Sequence, residues 1–136
     1  MNEKTFRDLI VWQKAMALVT DIYRATGSFP SRERYGLVDQ LCRAAVAIPS
    51  DIAEGKGRTS KKEFLQMLDR ARGSTYEVQT QLEISCNVGF LANDRFVDLE
   101  AKAAEVGRLL NGLITRIRKD IKDSEAPKTQ HLTAKT

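Results

Sequence analysis

An all-α, antiparallel up-down-up-down four-helix bundle, its second helix kinked at Pro49, is the architecture to which this chain points, on three observations. Apolar residues recur in steps of three and four through four long segments. Short joints carrying Gly, Pro or Ser part those segments. No stretch shows the two-residue alternation of a strand. At 136 residues, 42% of them hydrophobic, the chain is sized for one domain with its own core.

The first segment runs from Phe6 to Thr26. Leu9, Trp12, Met16, Val19 and Tyr23 form one stripe, with Val11, Ala15, Leu18 and Ile22 beside it. Gly27 stands where a left-handed cap would end this helix, and Phe29-Pro30 cannot continue it, so a joint is expected over 27–31. Ser31 offers an N-cap oxygen to the second segment, whose stripe is Leu37, Leu41, Ala45, Ile48 and Ile52, with Val38 and Cys42 alongside. Pro49 removes one hydrogen bond there, yet the rhythm resumes in phase at Ile52, which favours a kink over an end.

Gly55 and Gly57 close the second helix, and Ser60-Lys61-Lys62-Glu63 has the form of a capping box opening the third. Phe64, Leu68, Ala71, Thr75, Val78, Leu82, Ser85 and Gly89 then step by four and three, and the small residues from Ala71 to Thr75 imply a closely approaching neighbour. Asn93 or Asp94 is the expected cap of a fourth helix carrying Phe96, Leu99, Ala103, Val106, Leu110, Leu113, Ile117 and Ile121. The bundle is expected to span 1–123, with 124–136, which lose the periodicity, a flexible C-terminal tail. Helices of roughly 20–30 residues joined by short connections pack as antiparallel neighbours.

The joint Gly55-Lys56-Gly57-Arg58-Thr59-Ser60 invites comparison with a phosphate loop. It has neither a preceding strand nor the G-x-x-x-x-G-K-[ST] spacing, and reads first as a turn between helices. The start of the third helix still carries free donors and partial positive charge beside Lys56, Arg58, Lys61 and Lys62, where a phosphate could rest. The bundle's topology gathers ten bases at this end, Lys4, Arg7, Lys56, Arg58, Lys61, Lys62, Arg116, Arg118, Lys119 and Lys122. Seven acids accompany them, Glu3, Asp8, Asp51, Glu54, Glu63, Asp120 and Asp123. The opposite end has four bases against five acids, so the net +4 of the chain is polarised. Glu54 with Arg58, and Asp39 with Arg43, are spaced as i,i+4 surface pairs.

Catalysis has no foothold in the pattern. His131 is the single histidine, no nucleophile has a base partner, and no cluster has metal-ligand spacing, so no enzyme, cofactor or metal is expected. Cys42 and Cys86 lie at levels about 16 Å apart along their helices, too far to bridge within one chain. The N-terminus lacks the apolar stretch of a secretion signal and no run could cross a bilayer, so a cytoplasmic protein without membrane contact is expected. Val11, Trp12 and Tyr23, with Ala44 and Val46, widen the apolar faces beyond one seam and mark an oligomer interface.

Several stretches together resemble a known family. They are Val11-Trp12-Gln13-Lys14-Ala15, Phe29-Pro30, Tyr35-Gly36-Leu37, Arg43-Ala44-Ala45-Val46, Ile48-Pro49, Ile52-Ala53-Glu54-Gly55-x-Gly57-Arg58, and Ala71-x-Gly73-Ser74-x-x-Glu77 with Gln81-Leu82. Over roughly residues 6 to 120 they resemble the bacterial four-helix bundle proteins encoded in intervening sequences of large-subunit ribosomal RNA genes. Ala104-Glu105-Val106-Gly107-Arg108-Leu109-Leu110 is similar to the related accessory protein of diversity-generating retroelements. The resemblance implies a homopentamer and, for that branch, a basic surface contacting DNA or RNA together with a reverse transcriptase. Nucleic-acid contact is accordingly expected at Arg43, Lys56, Arg58, Lys61, Lys62, Arg116, Arg118, Lys119 and Lys122. The competing reading is a structural or protein-partner adaptor whose basic end is merely solvated.

Overall fold

The computed structural model describes residues 4–125, which form four α-helices. They are α1 (Ile10–Thr26), α2 (Leu37–Lys56), α3 (Lys61–Asn87) and α4 (Asn93–Ser124), with short 3-10 turns at Phe6–Asp8 and Ser31–Glu33. Each helix packs on two others: α1 on α2 and α4, and α3 on α2 and α4. The diagonal pairs do not approach, as an up-down-up-down four-helix bundle requires. Leu18, Ile22, Leu41, Ile48, Ile52, Leu68, Leu82, Leu99, Leu110 and Ile114 fill the centre.

The helix ends depart from expectation in instructive ways. The first segment begins as a 3-10 turn, because Asp8 accepts from the backbone N–H groups of Lys4 and Thr5 and holds the chain in a tight coil before Leu9 extends. Gly27 is not a left-handed cap, having φ of −60°. The carbonyls that such a cap would satisfy are taken by hydroxyls instead: Thr26 donates to Tyr23 O at 3.1 Å and Ser28 to Ala25 O at 3.1 Å. The joint extends to residue 36, and Ser31 opens a 3-10 turn rather than α2. Gly36 is the N-cap of α2, and the Glu33 carboxylate accepts from Leu37 N–H at 3.2 Å.

α2 runs unbroken through the buried Pro49, as its in-phase rhythm indicated. The capping box at Ser60 forms by half. Ser60 Oγ accepts from Glu63 N–H, but the Glu63 carboxylate accepts from the hydroxyls of Thr59 and Ser60 rather than from a backbone donor. α3 ends in a Schellman motif at Gly89, whose φ is +86°, with Phe90 N–H donating to Ser85 O at 2.9 Å. Neither Asn93 nor Asp94 caps α4. Ala92 is the N-cap, without a side-chain bond, and Asp94 turns back to Arg95 N–H.

Close approach of α3 to its neighbours has two sources. Gly55 of α2 is buried where a Cβ would lie 2.8 Å from Met67 Cβ and Phe64 Cδ1, so the α2–α3 crossing needs glycine. Among the small residues of α3, Ala71 and Thr75 are buried, with Thr75 facing Gly107 of α4, while Gly73 opens outward with nothing near. Lys102 of α4 donates to Asp21 of α1 at 2.6 Å and also pairs with Asp98, and the first of these bonds raises its pKa most.

Candidate nucleic-acid interface

The glycines of the α2–α3 joint serve the crossing and the turn. Gly55 makes room for Phe64 and Met67, and Gly57 keeps right-handed angles, φ −82° and ψ −5°. No phosphate-encircling nest of left-handed residues forms there. Arg58 instead binds the Glu54 carboxylate and lies 3.9 Å from Glu63, so its charge is shared between two acids of its own joint.

Antiparallel packing does bring the C-terminal turns of α4 to this joint. Lys61 Nζ lies 3.5 Å from Asp120, and Lys62 Nζ lies 2.8 Å from Glu125, a hydrogen bond that raises the Lys62 pKa. Arg118 approaches Asp69 of α3 at 3.9 Å, and Arg72 holds the same carboxylate at 3.0 Å. Lys119 and Lys122 are exposed and make no ion pair with any described residue, whereas Lys56 and Arg116 have partners. Arg43 stands apart. It is paired with Asp39 at 2.9 Å and lies 13 residues, about 20 Å, up α2 from Lys56.

Of the residues expected to contact nucleic acid, eight therefore cluster at one end, and the acids near them offset much of the charge. Asp69 and Glu125 were absent from the charge count drawn from the sequence. Asp69 could have been found from its i,i+3 spacing to Arg72, but its reach across to Arg118 depends on the packing of α3 against α4.

The apolar residues expected at an interface divide. Val11 is 4% exposed and Ala44 6%, both within this chain's own core. Tyr23 at 53%, Met16 at 40% and Val46 at 39% remain open. Trp12, Met16 and Val19 of α1 with Val46, Pro49 and Ala53 of α2 line an apolar groove of about 320 Å³. The Phe6 ring meets Trp12 edge-on at 5.2 Å and holds the indole at one end of the groove. Of the two stripes on α1, Val11, Ala15, Leu18 and Ile22 are the core face, while Trp12, Met16 and Val19 of the other line the groove.

Asp51 is buried against the α2–α3 crossing, with Arg70 Nε at 3.9 Å. Burial pushes its carboxyl above the ordinary range, against the pull of Arg70. Cys42 is buried beside Thr26 Oγ1 at 3.8 Å, and desolvation raises its thiol in the same way. Both cysteines are free. His131 and the expected tail from 126 onward lie outside the described residues. No described helix is long and apolar enough to cross a membrane.

Fold and surface together define a small helical bundle with one cation-bearing end and an open apolar groove on the α1–α2 side. The chain belongs to the 23S rRNA-intervening sequence protein family, whose model matches residues 7–112. The crystal structure of a protein of unknown function from the S23 ribosomal protein family of Bacteroides thetaiotaomicron VPI-5482 is similar, with a TM-score of 0.70 at 18% identity. That match covers 77% of this chain and 98% of the other, and at such identity it speaks for the fold. No curated protein matches the chain.

Proposed function

We propose that this protein is a non-enzymatic, self-associating helical scaffold that contacts nucleic acid through its cationic end. The observation that carries this reading is the meeting of the α2–α3 joint with the last turns of α4, where Lys119 and Lys122 are exposed and have no carboxylate partner among the described residues. Contacts of this kind neutralise phosphates and release counterions, and they are sequence-independent. The family's link to ribosomal RNA genes supports an RNA partner. Self-association through the Trp12–Val46 groove would multiply weak contacts by avidity, and a pentamer with a reverse transcriptase as partner is the form that the resemblance implies.

A second reading, a protein-partner adaptor, is favoured by the pairing of Arg58, Lys61, Lys62 and Arg118 with acids of the same end. Fluorescence anisotropy with labelled RNA and DNA separates the two. The scaffold reading expects binding at low salt that weakens steeply as salt rises; binding that is absent, or indifferent to salt, leaves the adaptor.

A further inference from the structure

Beyond the bundle's end, α4 carries a second pattern, on its outer side. Val106, Leu110, Leu113 and Ile117 are buried, while Arg108, Gly112, Thr115, Lys119 and Lys122 repeat the same steps of four and three on the exposed face. The stripe from Arg108 to Lys122 spans 14 residues, about 21 Å. Between residues 106 and 122 the chain has five cations and one acid, Asp120, which Lys61 already engages at 3.5 Å. The side chains of Arg108, Lys119 and Lys122 make no ion pair or hydrogen bond with a described residue.

The stripe is flanked by a braced group on α3. Arg72 donates to Asn111 Oδ1 at 3.2 Å and to Asp69 at 3.0 Å, so its guanidinium is held against α4. Asp69 serves Arg118 as well, at 3.9 Å, leaving one carboxylate between two guanidinium groups.

Gly112 stands at the centre of this face. A glycine in an exposed helix interior weakens the helix relative to alanine. No described atom lies within 4 Å of where its Cβ would be, so no packing among the described residues calls for it. Gly55, by contrast, has an evident internal reason. The absent side chain at Gly112 leaves a shallow saddle bordered by Arg108, Thr115 and Lys119, where a bulky anionic backbone can come close to the helix.

We infer that the outer face of α4, rather than the α2–α3 joint, is the main docking surface, and that its occupant is the phosphodiester backbone of a duplex nucleic acid. This inference rests on the nucleic-acid reading above. Arg108, Lys119 and Lys122 would pair with phosphates, Thr115 would donate a neutral hydrogen bond, and Gly112 would admit the strand. A duplex fits better than a single strand because α4 has no aromatic residue after Phe96 on which an unpaired base could stack. α4 packs on α1 and α3 and not on α2, so covering the α1–α2 groove in an oligomer leaves this face of the same chain outside the groove contact.

The test uses the full chain with duplex RNA and duplex DNA of equal length, titrated across a salt series, together with thermal melts. Gly112→Leu is expected to raise the melting temperature, since the site is open and leucine favours helix, and to weaken duplex binding several-fold; those opposite signs exclude misfolding as the cause. The double variant Arg108→Gln/Lys119→Gln is expected to lower the slope of log affinity against log salt by about two. The RNA and DNA arms distinguish the two sources of the same backbone. If the wild-type chain binds neither duplex at low salt, the duplex assignment falls, and the nucleic-acid reading falls with it only if single strands of the same length are not bound either. If it binds, but these variants bind as well as wild type while Lys56→Gln/Arg58→Gln loses affinity, the α4 assignment is overturned and the joint is the site. Equal displacement of the duplex by polyglutamate would overturn it in favour of an acidic protein partner.

Discussion

Asp51 is the one carboxylate buried among the described residues, and its surroundings give a pH signature. Desolvation, the largest influence, raises its pKa above the ordinary 3.8; Arg70 lowers it and Glu54 raises it further. The folded chain therefore holds this proton more tightly than the unfolded chain. Between 3.8 and the raised value the folded state binds more protons, so stability falls as pH rises through that window, and the cost of the buried charge is fully present above it. Asp51→Asn removes the charge but keeps the shape. Its melting temperature is expected to exceed that of wild type at pH 7, with the difference closing as pH falls below 3.8, where the wild-type carboxyl is neutral in both states. A lower melting temperature at pH 7 would mean that the Arg70 pair outweighs desolvation, contrary to the burial of this group. Cys42 is a parallel case, its thiol pushed up by the same loss of water.

At the scale of the helices, the α2–α3 crossing turns on one missing Cβ. Gly55→Ala would place a methyl 2.8 Å from Met67 Cβ, an atom fixed to the α3 backbone, and 2.8 Å from Phe64 Cδ1. Helix propensity returns about 1 kcal/mol, while overpacking of this kind costs about 1–3 kcal/mol, so a net loss of stability is expected in chemical denaturation. A variant as stable as wild type would show that the helices separate freely there. In the Ile52-Ala53-Glu54-Gly55 stretch the glycine therefore serves a crossing, though from sequence it reads only as the end of a helix. The helices themselves were legible because periodicity depends on which side chains are apolar. Their ends were less so. Hydroxyls of Thr26 and Ser28 took the role read into Gly27, and Glu33, a residue of the preceding turn, took the role read into Ser31. The first is a contest between hydrogen-bond donors and the second between acceptors, each of similar strength, which spacing alone does not decide. On α1 the pattern offered two stripes, and only the packing of α2 and α4 determines that Val11, Ala15, Leu18 and Ile22 face inward.

Charge was legible at the scale of the whole molecule only as a count. The sequence placed the cations at one end correctly, because antiparallel topology follows from short joints, yet it left Asp69 and Glu125 out of the balance and missed the lengthwise stripe on α4. Apolar surface behaves in the same way: Val11 and Ala44 vanish into the core, and Trp12, Tyr23 and Val46 remain with Met16 and Val19. A groove walled by a half-buried tryptophan and open aliphatic side chains is costly to leave in water, at about 25 cal/mol for each Å² of apolar surface. That cost is removed if a second copy covers it. Light scattering at micromolar concentration is expected to give a mass that is a multiple of 15.3 kDa. Val46→Glu sets a charge into the groove at a position already 39% exposed, so the helices should remain intact by circular dichroism while the mass falls toward that of one chain. A wild-type mass of 15.3 kDa would show that the groove stays open in solution, and a Val46→Glu variant that keeps the wild-type mass would move the contact to another face.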